Sequence, residues 1–106
     1  MIGDEILVLI AQTLANRVRE TDAVCRWGGE EFIALLPRTT LQSAVLLAES
    51  LRQAIEAISK PHLPPMTVSV GVAQHQDDES TESLIKRADD ALYEAKNSGR
   101  NKVVML

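Results

Sequence analysis

The run Arg26-Trp27-Gly28-Gly29-Glu30-Glu31-Phe32 sets two adjacent carboxylates beside a pair of glycines. Neighbouring carboxylates are the hard oxygen ligands that Mg²⁺ takes together with substrate phosphates, and glycine lets a main chain approach a bulky anion closely. A nucleotide–metal site is one chemistry that pattern can serve; a tight hairpin carrying two solvated acids is the other. Elsewhere Arg19 precedes Asp22 by one helical turn's spacing, Lys96 and Arg100 bracket Gly99, and Asp4 follows Gly3. Each has a plain structural role available. Arg19 and Asp22 can form a surface ion pair of small worth, Asp4 suits the first turn of a helix, and Lys96 complements the negative end of one. His62 and His75 fall on loops without metal-ligand spacing, Cys25 sits among apolar strand neighbours, and Trp27 is expected to pack at the base of a hairpin.

The elements that must position these residues follow from periodicity. Ile6, Leu7, Ile10, Leu14 and Val18 recur at the spacing of one helical face, predicting a first helix between Gly3 and Arg19. Strands are predicted over Asp22 to Trp27 and Phe32 to Leu36, joined at the glycine pair. Thr39 or Thr40 can cap a second helix with the apolar face Leu41, Ala44, Val45, Ala48, Leu51, Ile55 and Ile58. The proline-rich Lys60 to Pro65 reads as a loop, and Met66 to Gln74 alternates as a third strand. Ser80 or Thr81 can cap a third helix ending at Gly99, and Val103 to Leu106 forms a last strand. The order α-β-β-α-β-α-β predicts an α+β architecture, helices covering an antiparallel or mixed sheet, in a single domain over residues 1–106. A helix standing first resembles the second half of a β-α unit.

Composition narrows the function classes. The 106 residues are 45% apolar and 25% charged, which suits one folded core and excludes a disordered tail or a disulfide-dense mini-protein. Eleven basic against fifteen acidic side chains leave −4, against a chain that wraps a nucleic acid polymer or an anionic membrane. A lone Cys25 allows neither an internal disulfide nor a cysteine-built zinc site. Apolar runs such as Ile6 to Ile10 fall far below the ~20 residues that span a bilayer. A cytoplasmic chain without direct membrane contact is expected.

Gly28-Gly29-Glu30-Glu31-Phe32 resembles the signature of the GGDEF family of diguanylate cyclases, in its GGEEF form. Arg19-Glu20-Thr21-Asp22 resembles the family's RxxD inhibitory site at its usual offset, and Gly3-Asp4 the end of its GHxxGD stretch. Thr67 to Ala73 is similar to its central strand, and Ala88 to Lys96 with Gly99-Arg100-Asn101 to its C-terminal helix and turn. The resemblance implies a ferredoxin-like, nucleotidyl cyclase palm fold. It implies condensation of two GTP into cyclic di-GMP and pyrophosphate, using Mg²⁺ or Mn²⁺, in a homodimer controlled by an upstream sensory domain. Glu30 would be a metal ligand and the base toward the ribose 3′-hydroxyl, with Glu31 supporting the same metal. Gly28 and Gly29 would admit the phosphates, Asp4 would read guanine, and Lys96 and Arg100 would hold phosphates. Arg19 and Asp22 would bind cyclic di-GMP as inhibitor, with Arg52 as a secondary contact.

The family's first strand, with a metal-binding aspartate, and the helix and loop with a guanine-reading asparagine have no counterpart in these residues. The expectation is a palm lacking its first strand and helix. Such a chain would be inactive by itself, because phosphoryl transfer depends on positioning and charge stabilisation, and it would associate through open strand edges. A cyclic di-GMP-binding module without catalysis and a folded piece without activity are the competing expectations.

Overall fold

A computed structural model describes residues 2–28 and 31–106. Seven elements run in the predicted order: α1 (Ile2–Ala15), β1 (Ala23–Gly28), β2 (Glu31–Leu35), α2 (Leu41–Glu56), β3 (Val70–Val72), α3 (Thr81–Asn97) and β4 (Val103–Met105). The class is α+β, as expected.

Local chemistry explains where the helices begin. Thr40 and Ser80 both take extended backbone and use their side-chain oxygens to accept the N–H groups of Ser43 and Ser83, satisfying donors that have no partner within the helix. Of the two capping candidates at each helix, the second threonine and the serine are the ones used. α1 stops at Ala15, short of the predicted Arg19. Its chain turns there through bonds from the Asn16 N–H to the Gln12 carbonyl and the Arg17 N–H to the Leu14 carbonyl. At the far end of α3 the Arg100 N–H returns to the Ala95 carbonyl at 3.0 Å, with Gly99 at φ 118°, closing the helix in a Schellman-type turn.

β1 and β2 pair antiparallel from Ala23 opposite Leu35 to Gly28 opposite Glu31, with a register irregularity between Arg26 and Gly28. This bulge falls beside the glycine–carboxylate motif, a common place for a strand to re-aim its residues. β3 and β4 pair parallel, Val70 opposite Val103 and Val72 opposite Met105. The single sheet expected from sequence is replaced, among the described residues, by two two-stranded sheets. The predicted strand over Met66 to Gln74 is correspondingly reduced to Val70–Val72, the stretch that finds ladder partners on β4. Alternation specifies an extended chain, but a strand also requires a neighbour for its N–H and C=O groups.

The core lies between α1, α2 and the β3 side. Leu14, Leu51, Ile55 and Met66 form its buried centre, with Ile6, Ile10, Val18, Val24 and Phe32 packed around it. The α2 face is the predicted one, burying Ala48, Leu51 and Ile55 while Leu46 points to solvent. α3 approaches β3 through the fully buried Ala91 and Ala95. Gly71 completes that close contact: a Cβ there would lie 2.3 Å from both the Ala88 carbonyl oxygen and the Leu92 nitrogen.

Candidate functional site

The β1–β2 hairpin carries candidate residues at both ends. One carries Gly28 and Glu31 across from each other, and the other carries Asp22 before β1 and Pro37-Arg38-Thr39 after β2. At ~3.3 Å per residue the strands hold these ends roughly 20 Å apart.

At the first end, Glu31 opens β2 and its Oε1 lies 3.9 Å from the Nζ of Lys96, in the last turn of α3. Both side chains are about two-fifths exposed, so the pair faces solvent and is open to a ligand. The fold thus brings together two of the sequence-predicted residues from elements far apart in the chain. Gly29 and Glu30 lie outside the described residues. Glu31 offers the hard carboxylate oxygen that suits Mg²⁺ or Mn²⁺, so the described donor fits such an ion. Glu30 would complete an adjacent pair.

Arg100 stands exposed just beyond α3, on a turn with an uncommon backbone. Gly99, Arg100 and Asn101 follow one another at φ 118°, 61° and 47°. Two residues in a row with side chains in the left-handed region need support. Asn101 supplies it from its carboxamide, whose Oδ1 accepts from Arg52 Nη1 at 3.1 Å and whose Nδ2 donates to Glu56 Oε2 at 2.5 Å. Arg52 is further held by Glu49, to which its Nε and Nη2 donate at 3.1 Å each, and by Glu56 at 3.7 Å. These acids raise the Arg52 pKa, Glu49 most of all. In the sequence Asn101 stands out only as part of a motif; its bridge to α2 spans a distance that no local pattern encodes.

At the second end, Arg19 and Asp22 come together as expected, and more tightly than a surface pair. The Asp22 carboxylate accepts the Arg19 main-chain N–H at 2.8 Å and its Nη2 at 3.2 Å, and the Asp22 side chain is only 1% exposed. That main-chain bond, followed by the side-chain bond, holds the carboxyl below the usual carboxylate range. Arg19 Nη2 also reaches the Pro37 carbonyl at 2.7 Å and Thr39 Oγ1 at 2.5 Å, tying the RxxD segment to the loop that leads into α2. A cavity of about 340 Å³ opens here, lined by Arg17, Arg19, Asp22, Arg38, Thr39 and Ser43 among others. Arg17 and Arg38 were not singled out from the sequence; only the packing of α1 against α2 brings them to the cavity. Arg52 lies further along α2 than Leu47, the last α2 residue of the lining, and is not part of it.

Asp4 is exposed in the first turn of α1. No hydrogen bond or ion pair among the described residues joins it to the other candidates. Its neighbour Glu5 accepts from or pairs with His62 Nε2 at 2.7 Å, clipping the proline-rich loop to α1. His75 Nε2 meets the Glu79 carbonyl oxygen at 2.8 Å. Cys25 is exposed, rather than enclosed by its apolar strand neighbours. Glu79 is the centre of a second clamp. It accepts from Arg87 Nε at 2.7 Å and Nη2 at 2.6 Å, while Arg87 also donates to the carbonyls of Gln74 and Leu106. Arg87, aided by the Gln76 N–H and the Ser83 hydroxyl, holds the Glu79 carboxyl down at about 2. No described helix is long and apolar enough to cross a membrane.

The family model described as "Diguanylate cyclase, GGDEF domain" matches residues 1–102. Diguanylate cyclase DgcM of Escherichia coli (strain K12) is 54% identical over 102 residues, covering 96% of this chain and 25% of that protein. The response regulator PleD of Caulobacter vibrioides is 43% identical over 109 residues, covering 97% of this chain and 24% of that one. The chain therefore spans about a quarter of the length of these relatives. Among solved structures, the GGDEF domain of DgcB from Caulobacter crescentus in complex with c-di-GMP superposes with a TM-score of 0.91 at 30% identity, covering 97% of this chain and 64% of that one. The active GGEEF domain of a diguanylate cyclase from Vibrio cholerae superposes with a TM-score of 0.90 at 32% identity, covering 98% and 68%.

Proposed function

Because the chain belongs to the GGDEF-domain family of diguanylate cyclases, we propose that it carries the phosphate-binding and product-binding parts of an enzyme that condenses two GTP into cyclic di-GMP and pyrophosphate. The observation that carries this reading is the convergence of Glu31 and Lys96 at 3.9 Å on a solvent-open face beside the glycine–carboxylate motif. Lys96, a point charge, and Arg100, a planar fork, hold the GTP phosphates; Gly28 and Gly29 leave room for them against the main chain. Asp4 accepts the N1–H and N2–H donors of guanine. Glu30 and Glu31 hold Mg²⁺ or Mn²⁺, and Glu30 takes the proton of the attacking 3′-hydroxyl. The bound ion supplies charge stabilisation at the triphosphate. Each subunit of a homodimer presents one GTP to the other, and an upstream sensory domain sets their encounter. The substrate's compartment makes the protein cytoplasmic.

A second reading concerns the 106 residues by themselves. The Arg19–Asp22 pair lines an open cavity of about 340 Å³. On this reading the chain in isolation binds cyclic di-GMP through Arg19 and Asp22 without turnover, and Arg52, held by Glu49, Glu56 and Asn101 away from the cavity, takes no part. Incubation with GTP and Mg²⁺, followed by chromatography, separates the two readings. Cyclic di-GMP formed by the chain and lost in Glu30→Ala supports catalysis and overturns the binding-only reading. No product, with cyclic di-GMP binding that disappears in Arg19→Ala, supports the second. Neither product nor binding refutes both for this chain.

A further inference from the structure

Arg38 occupies a backbone conformation that its residue type disfavours. At φ 51° it lies in the left-handed region, where glycine and asparagine are at ease and a long unbranched cation gains nothing for the turn itself. It stands between Pro37 and Thr39, the two residues that Arg19 grips, and its side chain lines the same cavity as Arg17, Arg19 and Asp22.

The other two arginines there are already engaged. Arg17 donates to Ser50 Oγ and to the Thr13 carbonyl, each at 3.1 Å, and Arg19 is taken up by Asp22, Pro37 and Thr39. The Arg38 guanidinium makes no hydrogen bond or ion pair among the described residues. Three guanidinium groups against one carboxylate leave the cavity two positive charges, the number that two phosphodiester groups carry with opposite sign. The start of α2 adds to this field, since Thr40 and Ser43 form part of the wall and the first-turn N–H groups of a helix favour an anion.

Resting on the reading of Arg19 and Asp22 as a cyclic di-GMP site, we propose that Arg38 is a further binding residue of that site, its guanidinium taking a phosphodiester group of the dinucleotide. The left-handed backbone at Arg38 turns that group into the cavity.

Isothermal titration of the 106-residue chain with cyclic di-GMP tests this. Arg38→Asn keeps a residue at ease in the left-handed region and removes the charge. Affinity is expected to fall about tenfold, the loss of one charge-assisted contact. The melting temperature should stay level or rise. Arg38→Lys, a point charge without the fork, should fall between the two, and the salt dependence of binding should be shallower in Arg38→Asn than in the unsubstituted chain. Affinity of Arg38→Asn within twofold of the unsubstituted chain, while Arg19→Ala loses binding, overturns the role of Arg38 and leaves the site standing. Binding unaffected by Arg19→Ala, or absent from the unsubstituted chain, overturns the site reading and the inference with it.

Discussion

Gly71→Ala probes the contact that seats α3 against β3. The methyl group would sit 2.3 Å from the Ala88 carbonyl oxygen and the Leu92 nitrogen, and 2.9 Å from the Leu92 Cα. All three are main-chain atoms of α3, so no rotamer change relieves the overlap. Ordinary non-bonded contact needs about 3.4 Å, so helix and strand must part by about 1 Å, and a gap of that size forfeits roughly a quarter to a half of the dispersion energy across it. Ala91 and Ala95 of α3 are fully buried, so the helix has little room to yield. A cost of about 3 kcal/mol follows, at the upper end for overpacking. Against a total of about 5–10 kcal/mol for a domain of this size, that is a large share. Urea unfolding followed by far-UV circular dichroism reads it directly. With a slope of about 1 kcal/mol/M the midpoint should fall by about 2–3 M. Leu92→Ala should give no rescue in the double variant, because it is the Leu92 main chain, and not its side chain, that the methyl group meets. A midpoint shift below about 0.5 M, or rescue by Leu92→Ala, would refute the reasoning that backbone-to-backbone closeness of β3 and α3 is what demands glycine.

Two other outcomes are expected. Glu79 is held at about 2 by Arg87, below an ordinary carboxylate near ~4.3, so its contribution is complete above that ordinary value and is lost as pH falls through it toward about 2; Asp22 is shifted in the same direction. Melting temperatures measured from pH 7 to pH 2 should therefore drop most steeply below about 4.3, and Glu79→Gln should lower the plateau and flatten the acid limb, whereas an unchanged limb would show that the Glu79–Arg87 clamp is not what protonation breaks. Asn101→Ala removes both carboxamide bonds to α2 at a left-handed position and should cost about 1–3 kcal/mol, with Asn101→Gly recovering only the backbone part; equal stability of the alanine variant in urea would count against the bridge.

The element order, the two helix caps and the apolar faces were legible in the sequence because each depends on residues within a few positions of one another. Thr40 and Ser80 needed only an acceptor oxygen beside a free N–H, and the stripe of Ala48, Leu51 and Ile55 only the period of a helix. The family was legible for a similar reason, since its signature residues stand in a fixed order along the chain. What tertiary structure decided rests on pairings between distant segments. The third strand shrank to Val70–Val72 because a strand exists only where a neighbour completes its ladder. Asp22 became nearly inaccessible, and Arg19 was bound to Pro37 and Thr39, because α1, the hairpin and the start of α2 meet at one point. That meeting also brought Arg17 and Arg38 to a common cavity. Arg52 was drawn to Asn101, and Lys96 to Glu31, by the packing of α3 and its following turn against the rest. Residue spacing encodes local geometry and motif order, but a partner across the fold is specified only once burial of the shared core has set the elements against one another.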